Sequence, residues 1–326
     1  MQPGRAVRFS ENGDIRIEPL EVRAPGPDEL LVEVAAAGLN RADLLQRMGR
    51  YPAPPGSPAM IPGLEYAGTV RAAGERVQGH AAGDRVMGIV GGGGMSTHLV
   101  IHEREVLPVP EGMSLEDAAA IPEAFLTAFD ALFVQGGLRP FETVLIHAIG
   151  SGVGTAALQI AKAAGCRVLG TSRSPEKLER CAPLGLDEGI VTVQGGFAQS
   201  VLDSTAGRGA DLILDTVGGA YLEENLGAIA LQGRIVVVGL LGGAEGRLPL
   251  GKLLGKRARL VGTVLRSRPQ EEKAILAQRF SREALPLFAA GQLRPVVEAV
   301  LPMEELEEAH RRLGENRTFG KLVLRW

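Results

Sequence analysis

From about residue 120 to 265 the chain alternates short apolar runs with helix-length segments, and no other feature limits its possible folds as tightly. The runs are "TVLIHA", "CRVLGT", "EGIVTV", "ADLILDTV", "GRIVVVGL" and "ARLVGTVL". Apolar runs of this length, bounded by glycine and separated by helices, predict strands buried on both faces of a parallel sheet. Residues 119–265 therefore read as one doubly wound α/β domain of the dinucleotide-binding type.

Residues 1–118 have another texture. Alternating stretches such as "DELLVEVAAAG" and turn-rich segments such as "YPAPPGSPAMIPG" and "GGGG" predict a mainly β domain with long loops. Beyond the sheet, "EEKAILAQRFSREALPLFAAGQL" predicts an amphipathic helix, followed by strand, helix and strand. Residues 266–326 are expected to close back onto the first domain, and a length of 326 residues suits a two-domain chain. The run "MEELEEAHRRLGEN" reads as a solvated helix face.

Composition removes several function classes. A net charge of −3 gives no general attraction to nucleic acid or anionic membrane, and "GKRAR" reads as a basic turn before a strand. The N-terminus has no apolar leader-like segment, and no run approaches the roughly 18 apolar residues of a membrane span. A cytoplasmic location is expected. Only Cys166 and Cys181 are available, so neither a disulfide framework nor a thiolate zinc site is expected. His98 and His102 lie in a strand-like segment that separates them by about 13 Å. There is no GxSxG elbow, and no tyrosine has a lysine four residues later.

The segment "LIHAIGSGVGTAALQIAK" has the order a dinucleotide site needs: a strand, a tight turn and a helix N-terminus whose free N–H groups can face phosphate. The strict GxGxxG spacing fails, because the third glycine position counted from Gly150 is Thr155. Phosphate binding at Ala148, Gly150, Ser151, Gly152, Val153 and Gly154 is nevertheless the favoured reading, with a structural turn as the alternative. At the end of the next strand an acidic residue would bind the ribose hydroxyl of NAD. Ser172, Arg173 and Lys177 stand there instead, and hydroxyl and cationic groups suit a 2′-phosphate. NADPH is accordingly preferred to NADH.

The segments "AAGLNRADLLQRMGRYPAPPG", "PGLEYAGTV", "AAAIPEAFLTAFDAL", "LIHAIGSGVGTAALQIAK", "LRSR" and "FGKLVL" together resemble the medium-chain dehydrogenase/reductase superfamily. The resemblance is closest to the zinc-independent quinone oxidoreductases related to zeta-crystallin, in the branch that includes the tumour-suppressor-induced quinone reductase. It implies a GroES-like catalytic domain followed by a Rossmann domain. Where zinc-dependent relatives carry cysteine and histidine ligands, this chain has Asn40 and Leu64, so no metal is expected. By position, Thr127, Gly239, Leu240, Val264, Leu265 and Arg266 would border the nicotinamide end, and Lys321 would reach the cofactor from the other domain.

The same resemblance implies NADPH-dependent reduction of quinones in the interdomain cleft. Asn40 and Tyr51 are the candidate hydrogen-bond donors, and Tyr51 and Tyr66 the candidate pocket walls. Without a Lewis acid, such an enzyme needs acceptors that are already electrophilic, such as quinones or conjugated enones. Reduction of the C=C bond of enals, enones or enoyl thioesters is the enzymatic alternative. A non-catalytic NADPH-binding sensor or structural protein is the alternative of another class. A homodimer is implied, with the strand at about 259–265 as the pairing edge.

Overall fold

The computed structural model describes residues 1–192 and 196–326. Val193, which ends the "EGIVTV" run, lies outside the described residues. The chain forms two compact units, one from residues 1–126 and 265–326 and the other from 127–264.

The first unit is mainly β. A hairpin joins β1 (Gln2–Phe9) to β2 (Ile15–Val22). The larger sheet contains β3 (Glu29–Gly38), β4 (Glu65–Ala73), β5 (Arg85–Ile89), β6 (His98–His102) and β7 (Val106–Pro108). Two late strands join it, β14 (Val297–Pro302) and β15 (Lys321–Arg325), giving the order β14-β15-β3-β4-β5-β7 with β6 also paired to β3. The last 60 or so residues thus complete the first sheet.

Side-chain alternation decides what each face holds. Leu30, Val32, Val34, Tyr66 and Val70 pack into one apolar cluster, whereas Leu322 and Leu324 pack into another with Val7, Phe9, Met95 and Leu306. Glu65, next to Tyr66, and Lys321, next to Leu322, therefore point away from those clusters and toward each other. The amphipathic segment after the sheet is two helices, Gln270–Glu283 and Leu285–Ala289. The break falls at Ala284, because Pro286 supplies no N–H to continue the first helix's ladder.

The second unit is a six-stranded sheet in which every pairing is parallel. Its strands are β8 (Thr143–Ile146), β9 (Arg167–Ser172), β10 (Glu188–Val191), β11 (Ala210–Asp215), β12 (Ile229–Val237) and β13 (Arg259–Gly262). The order β10-β9-β8-β11-β12-β13 is that of a Rossmann fold, with its switch point between β8 and β11. All six apolar runs of the sequence contribute a strand. The expectation of burial on both faces holds for β8, β9 and β11 but not for β13, which is an exposed edge. Leu145, Leu169, Phe197, Ile213, Leu226 and Ile235 form the core on this sheet.

Candidate active site and cofactor turn

In the first unit, β3 ends at Gly38 and the chain turns through Asn40 into a helix, Arg41–Arg47. Asp43, in that helix's first turn, accepts hydrogen bonds from the Asn40 N–H at 2.8 Å and the Gly63 N–H at 3.1 Å. It is fully buried, and loss of hydration pushes its carboxyl up to about 6 despite those donors. The Asn40 side chain turns toward β4. Its amide donates to Glu65 Oε1 at 2.8 Å and to the Gly38 carbonyl at 3.3 Å.

Glu65 is the hub of this region. Its Oε1 accepts from Lys321 Nζ at 2.6 Å, and its Oε2 accepts from the backbone N–H of Glu123 at 2.8 Å. That N–H lies in the first turn of the helix Pro122–Phe129, where a carboxylate complements the helix dipole. A Cβ at Gly38 would collide with Glu65 Oε1 and the Ala119 carbonyl, so only glycine leaves room for this carboxylate.

Lys321 is 5 % exposed and gives its three N–H groups to Leu39 O at 2.8 Å, Asn40 Oδ1 at 2.6 Å and Glu65 Oε1. All three hydrogens of the ammonium are thus engaged within the protein. Both amide hydrogens of Asn40 are likewise engaged within the protein.

Arg266, expected near the nicotinamide, is also turned inward. It donates to Gly91 O at 2.8 Å, Tyr51 O at 3.1 Å and Gln46 Oε1 at 2.5 Å. Its guanidinium lies 5.1 Å from the centre of the Tyr51 ring, a cation–π contact that fixes the ring's orientation. The Tyr51 phenol has no hydrogen-bond partner among the described residues, and its acidity is weakened first by burial and then by the nearby Glu123, with Arg266 opposing. Tyr66 is no pocket wall. It is fully buried in the apolar cluster of β3 and β4, its hydroxyl has no partner among the described residues, and burial pushes its pKa up.

Glu123 escaped the sequence reading. Its side chain is half-buried and pairs with no cation among the described residues. Burial and then the charge of Glu65 push its carboxyl up to about 8; Lys321 opposes them, Asp43 adds a smaller rise and Arg266 opposes least. No local pattern shows this, because Glu65 and Glu123 are 58 residues apart and only the folded sheet joins them.

In the second unit, β8 runs into His147 and a turn at Ala148 (φ 46), and then into the helix Gly152–Ala163. Ser151 caps that helix, accepting from the Gly154 N–H at 3.0 Å. A Cβ on Gly154 would lie 2.5 Å from the carbonyls of both Ala148 and Ile149, so Gly154 is the residue that lets helix and strand approach closely. The N–H groups of Gly152 and Val153 have no partner among the described residues, as an anion-binding helix start requires.

His147 braces this turn from below. It is fully buried, with Nδ1 2.8 Å from Thr171 Oγ1 and Nε2 2.7 Å from Asn225 Oδ1. Asn225 donates to Asp215 Oδ2, so its carbonyl faces the ring, and Nε2 carries the hydrogen. Asp215 Oδ1 in turn holds the N–H groups of Val217 and Gly218. Burial lowers the His147 pKa and keeps the ring neutral. The chain of bonds ties the ends of β8, β9 and β11 together at the switch point.

At the end of β9, Ser172 is buried and its Oγ accepts from the Ser174 N–H. Arg173 is exposed and forms no ion pair among the described residues, and Lys177 is half-buried. Thr127 is half-buried at the start of the second unit, and Gly239 and Leu240 follow β12. Val264 is exposed and Leu265 is buried. No group of three or more His, Cys, Asp or Glu among the described residues is arranged to hold a metal. No helix among them is long and apolar enough to cross a membrane.

Residues 26–111 match the family described as alcohol dehydrogenase GroES-like domain, and residues 152–282 match the zinc-binding dehydrogenase family. Among solved structures, an NAD-dependent alcohol dehydrogenase is 35% identical, with TM-score 0.87 over 99% of each chain. A quinone oxidoreductase of Pseudomonas syringae pv. Tomato DC3000 is 31% identical, with TM-score 0.87 over 99% of this chain and 100% of that one. The CurK enoyl reductase is 30% identical, with TM-score 0.88 over 100% of this chain and 99% of that one. A much longer curated relative, the phthioceranic/hydroxyphthioceranic acid synthase of Mycobacterium tuberculosis, is 32% identical over 99% of this chain, which spans only 15% of that protein's length. Two matched domains in this order, with full-length likeness above 30% identity, make the chain a member of the medium-chain dehydrogenase/reductase superfamily, an oxidoreductase with a GroES-like domain and a Rossmann domain.

Proposed function

We propose that the protein is an NADPH-dependent, metal-independent reductase of quinones. The observation that carries this reading is the donor set around Asn40 and Glu65, where the Lys321 ammonium is bound by two side-chain oxygens and a carbonyl. Asn40 and Leu64 stand where zinc-dependent relatives place ligands, and Leu64 is buried apolar. Residues of this kind favour a fixed organic cation over zinc, so an acceptor must bring its own electrophilicity.

The cofactor turn suits a dinucleotide. The free N–H groups of Gly152 and Val153 would bind pyrophosphate, and Ser172, Arg173 and Lys177 would meet the 2′-phosphate of NADPH. When bound, NADPH supplies the hydride. Tyr51, with a protonated phenol that has no partner among the described residues, would orient the acceptor's oxygen. The exposed β13 edge and the adjoining Leu260 and Val264 support a homodimer formed by strand pairing.

C=C reduction is the second reading, favoured by the full-length likeness to the CurK enoyl reductase. The deciding experiment follows NADPH and NADH oxidation by chelator-treated protein with an ortho-quinone and a 2-alkenal in parallel. Quinone reduction with NADPH is the expected result. Turnover of the alkenal alone moves the activity to C=C bonds, and tight NADPH binding without turnover of either moves it to a non-catalytic role.

A further inference from the structure

We propose that Arg266 is a positioning residue for the acceptor: it clamps the Tyr51 ring so that one flat face is offered to ring-shaped acceptors, which makes quinones better substrates than open-chain alkenals. The inference rests on the reductase reading above and adds to it the residue pair that selects the acceptor class.

Tyr51 lies in a segment with little means of holding itself. The stretch "RYPAPPGSPAMIP", residues 50–62, forms neither helix nor strand, and its five prolines supply no backbone N–H. Arg266 fixes Tyr51 twice: Nη1 donates to the Tyr51 carbonyl at 3.1 Å, and the guanidinium lies over the ring, 5.1 Å from its centre.

Arg266 is itself immobilised. It is buried, with Nε donating to Gly91 O at 2.8 Å and Nη2 to Gln46 Oε1 at 2.5 Å. Gln46 stands on the helix Arg41–Arg47, and its Nε2 donates to Ala59 O at 2.9 Å, which ties the far end of the Tyr51 segment to the same pair. Gly91 presses on that segment too, since a Cβ there would collide with Ser57 Oγ and Pro54 Cγ.

The partners of the guanidinium are two carbonyls, an amide oxygen and a ring, none of them anionic. Burying a cation among neutral groups is costly, so packing alone would favour an apolar residue here. A planar fork can donate in several directions and still stack on an aromatic face, which the point charge of lysine cannot.

With the guanidinium over one face, the half-buried ring has its other face and its phenol left for an acceptor. A quinone is planar and can stack on that face, whereas a 2-alkenal has no ring to stack. The positive charge behind the ring also strengthens the phenol as a donor to an acceptor oxygen that gains negative charge.

The test uses full-length protein with Arg266→Lys, which keeps the charge and loses the fork, and Tyr51→Leu, which removes the ring. Wild type should prefer an ortho-quinone to a 2-alkenal in kcat/KM. Arg266→Lys should lose about tenfold in kcat/KM with the quinone, mostly through KM, and less than about twofold with the alkenal. Its NADPH affinity, read by fluorescence titration, should be unchanged. In the Tyr51→Leu background the same substitution should alter neither acceptor's kinetics, because its effect passes through the ring.

With 3-fluorotyrosine incorporated, the 19F signal assigned to Tyr51 by Tyr51→Phe should move in Arg266→Lys, while those of Tyr66 and Tyr221 stay in place. An unmoved Tyr51 signal, equal losses for the two acceptors, a wild-type preference for the alkenal, or a loss that persists in full without the ring overturns the proposal and leaves NADPH-dependent reduction intact. Gln46→Met, which removes a side-chain anchor of Arg266 and keeps its bulk, should reproduce the selective loss in weaker form. An unchanged quinone preference in Gln46→Met overturns the proposal even where Arg266→Lys fails to fold. Wild-type protein that turns over neither acceptor overturns the reductase reading and the selectivity with it.

Discussion

Lys321 Nζ lies 2.6 Å from Glu65 Oε1, with the two side chains 6% and 0% exposed. They lie 256 residues apart, and β15 and β4 reach each other only through β3. Removing one partner leaves an uncompensated buried charge, which costs far more than losing a surface pair. Lys321→Met should therefore destabilise the protein by about 3–5 kcal/mol, read as a lower denaturant midpoint. The loss should shrink in the double variant Lys321→Met/Glu65→Gln, because the neutral amide no longer strands a charge.

The Glu123 carboxyl sets a pH dependence of stability. It binds its proton up to about pH 8 in the folded chain, whereas an unfolded glutamate releases it near pH 4.5. Between those values the folded state holds the extra proton, so this contribution to stability is present below the lower value and declines as pH rises through the upper one. Glu123→Gln should remove that decline, giving a flatter curve of denaturation midpoint against pH between 6 and 9 than wild type.

Gly154 should tolerate no larger side chain. The Cβ of Gly154→Ala would sit 2.5 Å from two backbone carbonyls, so the helix must move off the turn. Overpacking of this sort costs roughly 1–3 kcal/mol. The loss of NADPH affinity should exceed that of Gly251→Ala, a glycine with open space around it, when both are measured by calorimetry.

Arg173 should set cofactor choice. Arg173→Glu places a carboxylate where a 2′-phosphate is proposed to lie, and hydrogen bonds to charged groups are worth about 1.5–3 kcal/mol. NADPH binding should weaken by more than about tenfold while NADH binding changes little. Equal losses for the two dinucleotides would remove Arg173 from the 2′ site.

His147→Leu should strip Asn225 and Thr171 of their partner in a fully buried position. Unsatisfied buried polar groups cost about 1–3 kcal/mol each. Thermal unfolding should shift down, and His147→Gln, which can reach both neighbours with an amide, should recover part of the loss.

The sheet of the second unit was legible in the sequence because its strands are mostly buried and read as unbroken apolar runs. The glycine turn was legible despite its irregular spacing, since strand, turn and helix follow one another along the chain. The His147 brace was not, although His147 directly precedes the turn, because Thr171, Asp215 and Asn225 arrive from other strands and a helix.

The sequence by itself determined the two domain types and the strands of the parallel sheet, because each is written in local periodicity or in a short motif. Tertiary structure decided where the charges go. Period-two alternation on β4 sends Glu65 to the polar cluster and Tyr66 into the core, and a late strand returns Lys321 to meet that carboxylate. Hydrogen-bond capacity is finite, so Lys321, Asn40 and Arg266, which the motifs directed toward a cofactor, are consumed within the protein. Burial and the charge of Glu65, which meet only in the fold, push the Glu123 carboxyl up to about 8.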